Sequence, residues 1–139
     1  MKIHDSIFGE MIYNHQWEKE DDVTLWGKPF HVQIIVQSDD DDTPDILDAQ
    51  KESYCFFKEN FAQLENIGRD TLLNYINNVL EISNCDENNF LENNTPTAIF
   101  FAVTGEWGIL FESGYDPEDG IALMFSNDQW LAGPQEILI

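Results

Sequence analysis

Tyr115-Asp116-Pro117-Glu118-Asp119-Gly120-Ile121 packs three carboxylates into four positions and closes on a glycine. Oxygen ligands so close together, on a segment whose Pro117 and Gly120 suit a turn, are the raw material for a divalent ion. A metal-assisted enzyme using the Asp116-Glu118-Asp119 turn is one chemistry they admit. Shaping of the turn itself is the plainer one. The second acidic run, Asp39 to Asp42, fails the calcium-loop pattern, with no glycine at the sixth position and no glutamate in register at the twelfth. It stands just before Thr43-Pro44-Asp45, a well-formed helix start, where anions favour the positive end of the helix dipole. No metal and no cofactor is therefore expected. His4, His15 and His31 lack the close Cys or His companions of a zinc site. Cys55 falls near the polar side of the predicted helix and is expected to be an inert surface or interface residue rather than a catalytic thiol. Phosphate loops, nucleophile elbows and HExxH are all missing from the sequence. With 27 acidic residues, any carboxylate pair at glycosidase spacing is uninformative.

Charge says more. Six basic residues face 27 acidic ones, a net of −21, and Arg69 is the last cation. From Asp70 to Ile139 there are twelve acidic side chains and no Lys or Arg. Such a surface repels phosphate, so nucleic acid is excluded as a partner. It either keeps the protein soluble or forms one side of a complementary interface with a basic protein. At 42% hydrophobic and 13% aromatic the chain folds despite its charge. No apolar run approaches the ~20 residues of a membrane span, and MKIHDSIFGE lacks the apolar core of a secretory signal. A single cytoplasmic domain over residues 1–139, with Cys55 and Cys85 reduced and no membrane partner, is the expectation.

The elements that must carry these residues follow from periodicity. Ile3 to Asn14 reads as a first strand bulged at Gly9, then Glu18 to Asp22 as a charged turn. Val23 to Trp26 gives a second strand. Phe30, Val32, Ile34 and Val36 alternate with polar positions in a third. Pro44 to about Asn60 predicts a helix, broken at Ile67-Gly68 before a second over Arg69 to Ile82. Ser83 to Thr95 reads as a loop. The apolar run Ile99 to Val103, then Trp107 to Phe111, Ile121 to Phe125 and a short Gln129 to Leu131 predict a terminal meander in the middle of the sheet. Thr104-Gly105-Glu106, Asp116 to Gly120 and Asn127-Asp128 are its turns. Trp17, Trp26, Trp107 and Trp130 are expected to pack cores or anchor interfaces.

The Tyr115 to Ile121 segment, with Gln50 in the first helix, resembles an uncharacterised family of small bacterial cytoplasmic domains. That family shows an aromatic residue, Asp, any residue, Glu, His and Gly, followed by apolar residues and a late Gly-Gln-Asp-like turn. Gly133-Pro134-Gln135-Glu136 takes the place of that turn here, and Asp119 stands where the family has His. The resemblance spans most of the chain in element order and implies a protein similar to the immunity proteins of bacterial toxin systems. The predicted fold is α+β, with an antiparallel sheet of six or seven strands and a helical pair on one face. The helices should bury Phe57, Phe61, Leu72, Ile76 and Val79 against Phe30, Val32, Phe100, Phe101, Ile109 and Leu123. The predicted function is stoichiometric inhibition of a basic toxin. Tyr115, Asp116, Glu118, Asp119, Asp128 and Trp130 are the partner-binding candidates, and the metal-assisted enzyme or a non-catalytic domain is the alternative.

Overall fold

The computed structural model describes residues 1–39 and 44–139. Eight strands form one sheet in chain order: β1 (Lys2–Asp5), β2 (Gly9–Tyr13), β3 (Trp17–Leu25), β4 (Lys28–Val36), β5 (Asn94–Phe101), β6 (Trp107–Ser113), β7 (Asp116–Ser126) and β8 (Gln129–Gly133). One helix, α1 (Asp48–Asn78), lies between β4 and β5, and a 3-10 turn at Gln135–Ile137 follows β8. Neighbouring strands are antiparallel except β4 and β5, which run parallel. A parallel pair needs a crossover of roughly a dozen residues or more, and α1 is that crossover. The expected antiparallel sheet of six or seven strands under a helical pair is thus overturned: the sheet is mixed, eight-stranded and covered by one helix.

Gly68 does not break the helix. It is buried in the middle of α1, and a Cβ placed there would lie 3.0 Å from the Trp130 ring. The glycine is there for close approach of helix to sheet, at a cost of about 1 kcal/mol in helix propensity. Nor does the helix begin at Pro44: Leu47 is its N-cap, and Asp40 to Asp42 and Thr43, where the expected cap and acidic run fell, lie outside the described residues. Gln50 completes the start. Its Oε1 accepts the Leu47 N–H at 2.9 Å, as in one half of a capping box, while Nε2 donates to the carbonyls of Gln37 (2.8 Å) and Phe101 (3.2 Å). A fully buried amide therefore ties the first turn of α1 to the ends of β4 and β5. Gln50→Leu keeps the volume and strands the Leu47 N–H and the Gln37 carbonyl, while the Phe101 carbonyl keeps the Gln37 N–H, so it should lower unfolding free energy by about 2 kcal/mol in urea titration. An unchanged midpoint would show that water replaces the amide.

The amino-terminal third differs from expectation in two places. Ile3 to Asn14 is not one bulged strand but the β1–β2 hairpin, with Gly9 at φ +81° leaving its turn. Asp5 holds that turn by accepting the N–H groups of Ile7 and Phe8, both at 2.9 Å, and pairs with Lys51 of α1. Burial opposes the Asp5 charge, but these donors more than offset it and hold the carboxyl below its usual range. Glu18 to Asp22 is no turn. It lies within β3, whose buried ends are Trp17 and Leu25. Lys19 is drawn under the helix, donating to the Phe8 carbonyl and the Tyr54 hydroxyl.

One cross-strand row dominates the core. Tyr13, Trp17, Val36, Phe101, Trp107, Phe125 and Trp130 are successive register partners from β2 to β8. Adjacent rings meet at centroid distances of 5.0 Å (Tyr13–Trp17), 5.5 Å (Trp107–Phe125) and 5.0 Å (Phe125–Trp130). The α1 residues Tyr54, Phe57, Phe61, Leu72 and Ile76 close over this face, while Val79, expected in the core, is 64% exposed. Phe100 faces the other way. With Ala98, Leu110, Ala122 and Met124 it forms a second, smaller core beneath Leu138. Gly108 makes room for this, since a Cβ there would meet Leu138 at 2.8 Å. The carboxy-terminal half of the sheet is accordingly covered on both faces.

Candidate functional site

Topology turns the charge asymmetry of the sequence into a spatial one. Because strand order equals chain order, β5 to β8 form one side of the sheet, and no Lys or Arg lies on it. Among the described residues, the ion pairs join Lys2 to Glu10, His31 to Glu20 and Asp22, Lys51 to Asp5, and Arg69 to Asp70 and Glu87. None reaches β5 or beyond. The acidic side chains of this half form two groups at opposite ends of the strands.

The first group surrounds the Tyr115 to Ile121 segment. Gly114 and Tyr115 make the β6–β7 turn, so Asp116 already pairs with Ser113 at the start of β7. The residues from Pro117 to Gly120 bulge from the ladder between the Ser113–Asp116 and Phe111–Ile121 pairs. The expected turn is thus an insertion within a strand. Asp116 Oδ1 accepts the Asp119 N–H at 3.3 Å, and Glu118 and Asp119 are exposed. Gly120 has φ +64°, and a Cβ on it would lie 2.6 Å from the Gln135 amide, which donates to the Phe111 carbonyl at 2.9 Å. Gly120 and the late Gly133 to Glu136 segment therefore meet in one structural joint. Tyr115 is half-buried, its hydroxyl accepting from Asn93 at 3.1 Å. Burial pushes the neighbouring Cys85 thiol up, only partly offset by a hydrogen bond from Tyr115. Burial also raises the Tyr75 hydroxyl, helped by the charges of Asp116 and Asp119. A recess of about 440 Å³ beside the bulge is lined by Glu92, Asn93, Glu112 and Pro117.

The second group lies at the β5–β6 and β7–β8 turns. Asn127 and Asp128, at φ +51° and +59°, form a two-residue hairpin turn of the type that matches strand twist. Asp128 is exposed there and, with Glu52 and Glu106, borders a groove of about 430 Å³ floored by Phe56 and Phe125. The seven residues of β7 from Gly120 to Ser126 put roughly 20 Å between the two groups. Trp130 belongs to neither. Its ring lies beneath Gly68 and its Nε1 donates to the Leu64 carbonyl at 3.2 Å, so the side chain joins helix to sheet.

The remaining candidates are spread out. Among the described residues, no three His, Cys, Asp or Glu side chains converge as metal ligands. His31 is exposed; its hydrogen bond to Asp22 raises its pKa, outweighing slight desolvation, with Glu20 adding to the effect. Cys55 is half-exposed on α1. Trp26, expected to end a strand and to pack a core or anchor an interface, lies in the turn after β3 with a positive φ of 50°, unusual for so large a residue. Glu65 holds it from α1, accepting the backbone N–H at 2.9 Å and the indole N–H, through its carbonyl, at 2.7 Å. No described helix is long and apolar enough to cross a membrane. Compared with protein-family models, curated proteins and solved structures, the chain shows no match. The resemblance at Tyr115 to Ile121 rests on its own residues.

Proposed function

We propose that this chain is a stoichiometric binding protein, an immunity-type inhibitor that neutralises a basic bacterial toxin in the cytoplasm. The observation that carries this reading is the segregation of charge: one half of the sheet is acidic, cation-free and untouched by internal ion pairs among the described residues. Uncompensated carboxylates repel one another in the free protein, and a cationic partner relieves that repulsion as it binds. Nucleic acid and anionic membrane surfaces are disfavoured by the same field. Asp116, Glu118 and Asp119, with Tyr115 beside them, supply one acidic end and Asp128 belongs to the other, while Trp130 holds β8 against the helix.

Charge of this kind acts mainly on encounter. Co-purification with the product of the adjacent gene, followed by kinetics from low to high salt, tests the reading. The association rate should fall by roughly tenfold or more across the series, while dissociation changes little. The two acidic ends make the test spatial. Glu118→Gln with Asp119→Asn removes charge at the bulge, and Glu106→Gln with Asp128→Asn removes it at the hairpin turns. The pair nearer the partner should slow association more, and neither should shift the melting temperature by more than a few degrees. No complex, or a complex indifferent to salt, overturns the proposal.

A further inference from the structure

The two edges of the sheet are guarded differently. β1 carries Lys2 and Asp5, charges of the kind that discourage edge-to-edge pairing. β8, Gln129-Trp130-Leu131-Ala132-Gly133, carries none. In a two-residue hairpin the pair next to the turn, Ser126–Gln129, exchanges the ladder hydrogen bonds, and bonded pairs then alternate. Trp130 and Ala132 therefore direct their N–H and C=O groups away from β7. Among the described residues no side chain or loop bonds those N–H groups.

Apolar side chains flank this open edge. On the outer face Leu131 is 53% exposed. On the helix face Ile67 is 61% exposed, next in sequence to Gly68, which touches Trp130. Ile67 stands about 200° round the helix from Glu65, the residue bonded to Trp26, and so lies on the side of α1 turned away from the β3–β4 turn. Asp128 precedes the strand and Glu136 follows it, both exposed, and among the described residues neither joins an ion pair. An unpaired edge, an apolar residue on each side and a carboxylate at each end fit one kind of occupant.

We propose that β8 is a docking edge that takes an extended strand of a basic partner into the sheet. Backbone bonds to Trp130 and Ala132 would hold the strand, alternate apolar side chains would meet Leu131 and Ile67, and flanking Lys or Arg would face Asp128 and Glu136. This rests on the basic-partner reading and assigns it a place.

The probe is a capped seven-residue peptide alternating Lys and Val, beginning and ending with Lys. Its control is the same peptide methylated at every backbone nitrogen, with equal charge and no N–H to donate. Amide hydrogen exchange of the full chain, read by NMR, should slow at least tenfold at Trp130 and Ala132 with the first peptide and not with the second. Ala132→Pro removes an N–H that no ladder bond uses, so the fold should persist and the protection should vanish. If that variant does not fold, the methylated peptide alone decides. Equal protection by both peptides, protection at Lys2 to Asp5 instead, or none at β8, overturns the edge assignment. The basic-partner reading fails separately, on co-purification and the salt series.

Discussion

Phe101→Asp should abolish the cooperative thermal transition. Phe101 is fully buried at the end of β5, between Val36 and Trp107 in the aromatic row, with the rings of Phe8, Tyr54 and Phe57 within 6.3 Å. Deleting a buried phenylalanine costs about 3–5 kcal/mol. An aspartate there must either remain charged without a partner or take up a proton, which at pH 7 costs roughly another 4 kcal/mol or more. Together these match the ~5–15 kcal/mol that holds an ordinary domain folded. Phe101→Leu, which removes volume and adds no charge, should keep a sharp melt at a lower temperature. Melting curves by circular dichroism separate the two outcomes. A cooperative transition for Phe101→Asp near the wild-type temperature would show that this row is not the core.

That row was legible in part. Alternation located β4, β6 and the apolar core of β7, the unbroken run Ile99 to Val103 located the end of β5, and Asn127-Asp128 marked the last hairpin. Alternation could not find β3, because Glu18 to Asp22 are consecutive charges. They form a strand because Trp17 and Leu25 are buried at its ends and Lys19 finds acceptors under the helix. The unbroken run Ile99 to Val103 suits a strand covered on both faces, but what covers the second face could not be read: it depends on Leu138 passing over Gly108, a contact between residues thirty positions apart. The parallel β4–β5 pair follows from a single helix, which the expected break at Ile67-Gly68 would have divided into two.

The candidate site shows the same limit. Asp119 and Asp128 are close in sequence, yet a strand carries them to opposite ends of the sheet. Gly120 and Gln135 are far apart in sequence, yet they touch. Motif spacing therefore identified a joint of the fold, whereas the cation-free stretch after Arg69 became one side of the sheet only through a strand order that equals chain order. The features least visible in sequence, the free amides of β8, depend on hydrogen-bond parity rather than residue type.

Gly68→Leu is expected to destabilise the protein by about 3 kcal/mol or more, although leucine is the better helix former. Propensity alone predicts a gain of roughly 0.8 kcal/mol. Against it, even a Cβ would lie 3.0 Å from Trp130 Cε2 and 3.3 Å from Leu123 Cδ2, and leucine adds three further carbons in the same direction. Relief would require lifting α1 from the row beneath it, with loss of the Trp130 to Leu64 hydrogen bond. Gly68→Ala divides the two effects: one methyl asks the indole to yield by a few tenths of an ångström, and the propensity gain should leave stability within about 1 kcal/mol of wild type. A double-mutant cycle assigns the cause. Trp130→Ala alone should cost about 3–5 kcal/mol by opening a cavity, and Gly68→Leu should then cost far less in its presence, since the leucine enters that space. Strictly additive losses in urea titrations would mean the penalty arises within the helix, as the expected break at Ile67-Gly68 implied, and not from the contact between helix and sheet.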